Sequence, residues 1–165
     1  MAILPIRKYP DPVVREATRP VERIDKEIKA LAKSMIETMY DAPGVGLAAN
    51  QIGVQKSVIV IDIDEKPHTL INPDIVWKSE ETEVGEEGCL SLIPEVHIPI
   101  ERAAKIKVSA LDKRGRLFEM TADGLLARAL QHEIDHLQGV LIIDRATDEE
   151  RKKALRQMAV LFSVP

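Results

Sequence analysis

Residues 131–136 read Gln-His-Glu-Ile-Asp-His, and the stretch around them has the spacing of one amphipathic helix. That spacing predicts a helix from Asp123 to about Gln138, stopped by Gly139. Leu125 and Ala129 fall on the side of His132 and His136. Leu126, Leu130 and Leu137 fall on the side of Glu133, and Arg128, Gln131, Asp135 and Gln138 on the opposite arc. Two imidazoles and a carboxylate are thus embedded in the apolar stripe that faces inward. A carboxylate in such a place is costly unless it is paired or put to use.

His132 and His136 are four residues apart, so both rings can converge on one ion. Imidazole suits zinc and iron alike. Burial raises the pKa of Glu133 and a nearby cation lowers it, a balance that suits a general base near neutral pH. A catalytic site of this type wants three protein ligands and one open position. One class of metalloprotease reads His-Glu-x-x-His-x-x-Gly-x-x-His; here Gly139 keeps the glycine, but Ile142 stands where the last histidine belongs. Another class draws a glutamate from a later helix. Glu149 and Glu150 are at hand, but the helix dipole already accounts for carboxylates in a capped first turn. Upstream, Glu86-Glu87-Gly88-Cys89-Leu90-Ser91-Leu92 holds the only cysteine. A lone cysteine is most simply a buried bystander. The vacant third position and the flanking glycine favour Cys89 as the ligand.

The rest of the chain predicts an α+β fold. Ile28, Leu31, Met35 and Met39 mark a first helix capped by Asp25 and ended near Asp41-Ala42-Pro43-Gly44. Ser57 to Ile63 reads as a buried strand, and Thr69 to Val84 as weaker strand interrupted at Asn72-Pro73. Lys105–Leu111, a turn at Lys113-Arg114-Gly115 and Arg116–Thr121 make a hairpin. Thr147-Asp148-Glu149-Glu150 opens a last helix reaching about Leu161. The expectation is mixed or antiparallel strands around a central His-Glu-x-x-His helix, with a C-terminal helix, in one catalytic domain over residues 1–165. A net charge of −4 disfavours nucleic acid as a direct substrate. No apolar run is long enough to span a bilayer, and the start, Met1 to Lys8, is not a signal peptide. One cysteine fits a reducing compartment, the cytoplasm.

Three segments in order resemble the motifs of the peptide deformylase family, whose members remove formate from the N-terminal formylmethionine of new polypeptides. They are Gly44-Val45-Gly46-Leu47-Ala48-Ala49-Asn50-Gln51, Glu87-Gly88-Cys89-Leu90-Ser91 and Gln131-His132-Glu133-Ile134-Asp135-His136. The opening Ile6-Arg7-Lys8-Tyr9-Pro10-Asp11-Pro12 is also family-like. The resemblance implies Cys89, His132 and His136 as metal ligands, Glu133 as acid and base, and the Gln51 amide and Leu90 N–H as holders of the oxyanion. It further implies Val45, Gly46 and Glu87 along the peptide site and Leu125 and Ala129 around the methionine pocket. The implied cofactor is one divalent ion, Fe2+ or Zn2+, with Ni2+ or Co2+ also able to occupy such a site. The implied partner is the nascent N-formyl-Met polypeptide; a ribosome contact through the C-terminal helix is a further hint, against a plainly solvated basic face. Two departures stand out. Asn50 replaces a common proline, expected to alter only loop stiffness, and His97 stands near a usual peptide-contacting arginine. His68 and His97 read as surface or rim residues. The rival readings are a zinc endopeptidase and a non-catalytic structural-metal module.

Overall fold

The computed structural model describes residues 2–162. Met1 and residues 163–165 of the expected 1–165 unit lie outside them. The first helix, α1 (Lys26–Asp41), starts where Asp25 accepts the Ile28 N–H at 3.1 Å. Five strands form one antiparallel sheet: β1 (Gly46–Ala48), β2 (Val58–Ile63), β3 (Lys66–Lys78), β6 (Lys105–Leu111) and β7 (Leu117–Asp123), in the order β1-β2-β3-β6-β7. A separate antiparallel pair, β4 (Thr82–Glu87) and β5 (Ile98–Ala103), makes a second sheet. Helix α2 (Gly124–Leu137) carries the two histidines, a short α3 (Ile142–Arg145) follows, and α4 (Asp148–Phe162) ends the described chain. No helix is long and apolar enough to cross a membrane.

The run Val58-Ile59-Val60-Ile61 has no polar alternation because helices cover both faces of its sheet. Val58 and Val60 pack with Met35 and Met39 of α1. Ile59 and Ile61 pack with Ala127 and Leu130 of α2. A third core, under β5, joins Cys89, Ile98 and Ile100 to Leu141, Ile142 and Met158. Ile142, at the position of the absent downstream histidine, is a core residue there.

The α+β expectation holds, and the differences are local. Both sheets are wholly antiparallel. Asn72-Pro73 does not break β3; Asn72 takes a left-handed φ of 52°, and the register with β6 slips between Ile71 and Asp74. This bulge absorbs a residue while the strand continues. Asp123 ends β7 rather than capping α2 with its side chain, and Gly124, at φ 56°, makes the corner. The polar arc of α2 does not simply face water. Gln131 is buried and exchanges hydrogen bonds with the Ala103 backbone, at 3.0 Å to its carbonyl and 3.2 Å from its N–H. Arg128 and Asp135 also meet the second sheet or its residues. Helix α2 therefore lies between the two sheets.

The last turn of α2 is closed by distant groups. Thr18 N–H donates to the Leu137 carbonyl at 2.8 Å, and Asn50 Nδ2 donates to the His136 carbonyl at 2.5 Å and to the Glu16 carbonyl at 3.4 Å. Asn50 is fully buried, so its contribution is more than loop stiffness: a proline there would supply neither bond.

Candidate metal centre and cleft

Three chain segments meet at the face of α2. The i, i+4 spacing brings the Nε2 atoms of His132 and His136 to 3.1 Å from one another. The turn after β4 places Cys89 Sγ 3.3 Å from His136 Nε2. All three atoms lie within 4.8 Å of one another. Ligands of one tetrahedral zinc-type ion stand about 3.3 Å apart for two nitrogens and slightly more for nitrogen and sulfur. The cluster has that size.

Tautomers support the same reading. His132 Nδ1 lies 2.9 Å from Glu87 Oε1. An ionised carboxylate only accepts, so Nδ1 carries a proton and Nε2 faces Cys89 and His136, where a bound cation would take the place of a second proton. Although burial opposes the charge of Glu87, hydrogen bonds from His132 and Arg102 hold its pKa down at about 2, which favours the ionised form. The histidines divide sharply. Burial works against a charged His132, but Cys89, Glu133 and Glu87 outweigh it and raise its pKa well above the ordinary value. Burial and the neighbouring charge of His132 push His136 well below it. One positive charge is welcome between these rings and two protons are not, which is what a cation site requires.

Glu133 is 6% exposed, and its Oε1 has no hydrogen-bond partner among the described residues. Burial lifts its pKa to about 7. Its carboxyl rests directly on Gly46: a Cβ at that glycine would stand 2.8 Å from Glu133 Oε2. The strand β1 thus holds the carboxylate against the cleft because residue 46 has no side chain. Gln51 is oriented by its neighbours. Its Oε1 accepts the Ala48 N–H at 2.9 Å, which turns Nε2 toward Ser91 Oγ at 3.0 Å. A side-chain amide has a second N–H to offer.

These groups line a cleft of about 770 Å³. Val45, Gly46, Gln51, Glu87, Cys89, Leu90, Leu125, Ala129, His132 and Glu133 all border it, while His136 lies behind, 1% exposed. Leu125 is at the mouth and 86% exposed, although the helical stripe placed it inward. Glu87 borders the cleft, but its carboxylate is spent on His132, Arg102 and Arg128 rather than free to meet a peptide. His68 and His97 are exposed and outside the cluster, and neither Glu149 nor Glu150 belongs to it.

A family model described as Polypeptide deformylase matches residues 3–152. The chain belongs to the polypeptide deformylase family. A peptide deformylase from Rhizobium meliloti is 49% identical over 162 residues, 95% of this chain and 92% of that protein. One from Nitrosococcus oceani is 51% identical over 156 residues, covering 93% and 92%. A solved peptide deformylase from Legionella pneumophila superposes with a TM-score of 0.90 at 42% identity, covering 99% of this chain and all of that one. Another, from Synechococcus elongatus in complex with actinonin, gives 0.89 at 44% identity, covering 94% and 86%.

Sequence reading of this deformylase passed over Arg102, Arg128, Asp135, Ser91 and the role of Asn50. Arg102 left a signal. Ile98, Ile100 and Arg102 alternate along β5, so an arginine stands on the buried face where only a paired charge is tolerated. Arg102 chelates Glu87 through Nε and Nη2, each at 2.9 Å, and reaches Asp135 at 2.6 Å. Ser91 and Asp135 sit inside the family motifs but had no partner that spacing alone could name.

Proposed function

We propose that Cys89, His132 and His136 hold one divalent metal ion and that Glu133 is the acid and base of deformylation in this chain. The ionic and steric setting of Glu133, a buried carboxylate beside those three ligands with an unpartnered oxygen, carries the reading. As a peptide deformylase the protein removes the formyl group from the N-terminal formylmethionine of new polypeptides and releases formate. When bound, the ion supplies Lewis-acid activation of water and of the formyl carbonyl. Fe2+ and Zn2+ are the leading occupants, with Ni2+ and Co2+ as further fits, since thiolate and imidazole suit all of them.

The formyl carbon would sit in the cleft between Glu133 and Gln51. Glu133, whose burial makes it a stronger base than an ordinary carboxylate, removes a proton from the attacking water. Charge then grows on the formyl oxygen, and the free N–H of Gln51 and the Leu90 backbone N–H donate to it. One such donor is worth about 3 kcal/mol in comparable sites. Glu133 returns the proton to the departing amine nitrogen as the C–N bond breaks. Gly46 and Val45 would flank the peptide, and Leu125 and Ala129 the methionine side chain. Glu87 contributes from behind, through His132. The cytoplasm is the compartment this substrate implies. The exposed Lys152, Lys153 and Arg156 of α4 form a basic face on which a ribosome contact would fall.

The test is formate release from a formyl-Met peptide by wild type and by Glu133→Ala. The variant should keep its metal and lose about 10²- to 10⁴-fold in turnover. Near-normal turnover would remove Glu133 from the mechanism, and cleavage of internal peptide bonds would favour an endopeptidase.

A further inference from the structure

Two carboxylates and three guanidiniums lie behind the histidines. Asp135 is bonded by Arg145, at 2.9 and 3.1 Å, and by Arg102, at 2.6 Å. Glu87 is bonded by Arg102 and by Arg128, whose Nη1 donates to Glu87 Oε2 at 2.7 Å. Arg102 is thus shared between two anions, and each anion has a second cation of its own. For Glu87 that cation is Arg128, one helical turn before His132 on the same helix. Arg128 also fixes the strand that leads to Cys89. Its Nη1 donates to the Ile100 carbonyl at 2.8 Å and its Nη2 to the Glu83 carbonyl at 2.9 Å. Gly85 lets it lie flat on β4: a Cβ there would stand 3.0 Å from the Arg128 Cζ.

We infer that Arg128 is a positioning residue for the metal centre, acting through Glu87 to fix the His132 ring. This rests on the ligand set proposed above. The Glu87 carboxylate accepts the His132 Nδ1–H on the oxygen that Arg102 grips with Nη2, while the other oxygen is shared by Arg102 Nε at 2.9 Å and Arg128 Nη1 at 2.7 Å, the shorter of the two bonds. Without Arg128, the carboxylate is held by Arg102 alone, whose guanidinium Asp135 also draws on at 2.6 Å, and it can shift together with that guanidinium. The ring that follows it then loses its preset direction toward Cys89 and His136. The sequence position gives no hint of this, since the helical wheel puts Arg128 on the polar arc.

The experiment is a double-mutant cycle of Arg128→Met and Glu87→Gln, read by the zinc dissociation constant in chelator competition and by the His132 Nδ1–H proton resonance of the zinc-loaded protein. Loss of a group that orients a ligand costs about 10- to 100-fold in metal affinity, so Arg128→Met should weaken zinc by that factor. It should also shift or broaden the His132 resonance. In the Glu87→Gln background the same substitution should change the constant by no more than about twofold, the scatter of independent effects. An equal loss in both backgrounds would overturn the inference and leave Arg128 as a clamp on β4. If Glu87→Gln does not fold, the resonance decides: an unchanged Nδ1–H in Arg128→Met refutes it. Wild type that binds no zinc at Cys89 would instead refute the ligand set, a separate failure.

Discussion

Gly46→Ala tests the claim that strand β1 sets the position of the Glu133 carboxylate, the proposed acid and base. The new methyl would stand 2.8 Å from Glu133 Oε2 and 2.9 Å from its Cγ. Ordinary contact begins at 3.4 Å, so the carboxyl must retreat by about 0.6 Å or the strand must lift. The strand is tied down, because Gly46, Leu47 and Ala48 pair in register with Ile61, Val60 and Ile59. Glu133 is the part that yields, and the cleft it borders is the direction open to it, away from the position it holds against Gly46. A misplacement of about 1 Å can cost 10²-fold, so a shift of this size should lower kcat/KM by about 10- to 100-fold. Overpacking of this kind costs about 1–3 kcal/mol of stability, partly offset by about 0.4–1 kcal/mol from stiffening the unfolded chain. The assay is formate release alongside a urea melt and metal analysis. Gly44→Ala is the comparison: its methyl meets only the end of Leu90, at 3.1 Å, which can turn aside. Turnover of Gly46→Ala within about twofold of wild type, with metal retained, would show that Gly46 does not pin Glu133.

Cys89→Ala should lose metal at low free metal concentration, measured by dialysis and elemental analysis; full occupancy would argue against the thiolate as ligand. Asn50→Ala strips the His136 and Glu16 carbonyls of a buried donor and should cost about 1–3 kcal/mol in urea melts, with the helix end loosened. Glu87 has a folded pKa of about 2, below its ordinary 4.5. Its charge therefore stabilises the fold fully above 4.5, and that stabilisation is lost as pH falls from there through about 2. In Glu87→Gln the urea midpoint should fall less steeply over that window, and an unchanged acid limb would contradict the assignment.

The helices and most strands were legible because their patterns are local. The apolar spacing of Ile28 to Met39, the unbroken Val58–Ile61 and the Gly139 stop each report on near neighbours in the chain. The hairpin of β4 and β5 was not legible. Its alternation mixes Val84 outward with Glu87 inward, and the exposed face of β4 carries an apolar residue while its buried face carries a charge. The short β1 was not legible either, since three residues carry no alternation and only their pairing with β2 makes them a strand. At the site, the candidates Cys89, His132 and His136 were named from spacing and from the lack of a downstream histidine, and the structure brings them together. The network behind them could not be named in that way, because Glu87, Arg102, Arg128 and Asp135 come from three elements, and which charge meets which is a property of their packing. Leu125 shows the limit of a helical wheel, which knows the side of a helix but not where along its axis the cover ends.

The proposed ligand set spans 47 positions of the chain, from Cys89 to His136, and the groups that close the end of its helix reach back to Thr18 and Asn50. Contacts so far apart in sequence close late, because long loops must be drawn together before they give anything in return. A chain still being made has its sulfur and its amide long before it has its imidazoles. With the ligands proposed above, all three donors can meet one ion only after the last turn of α2 has been made and has docked, so the metal would join a chain whose two sheets are already in place.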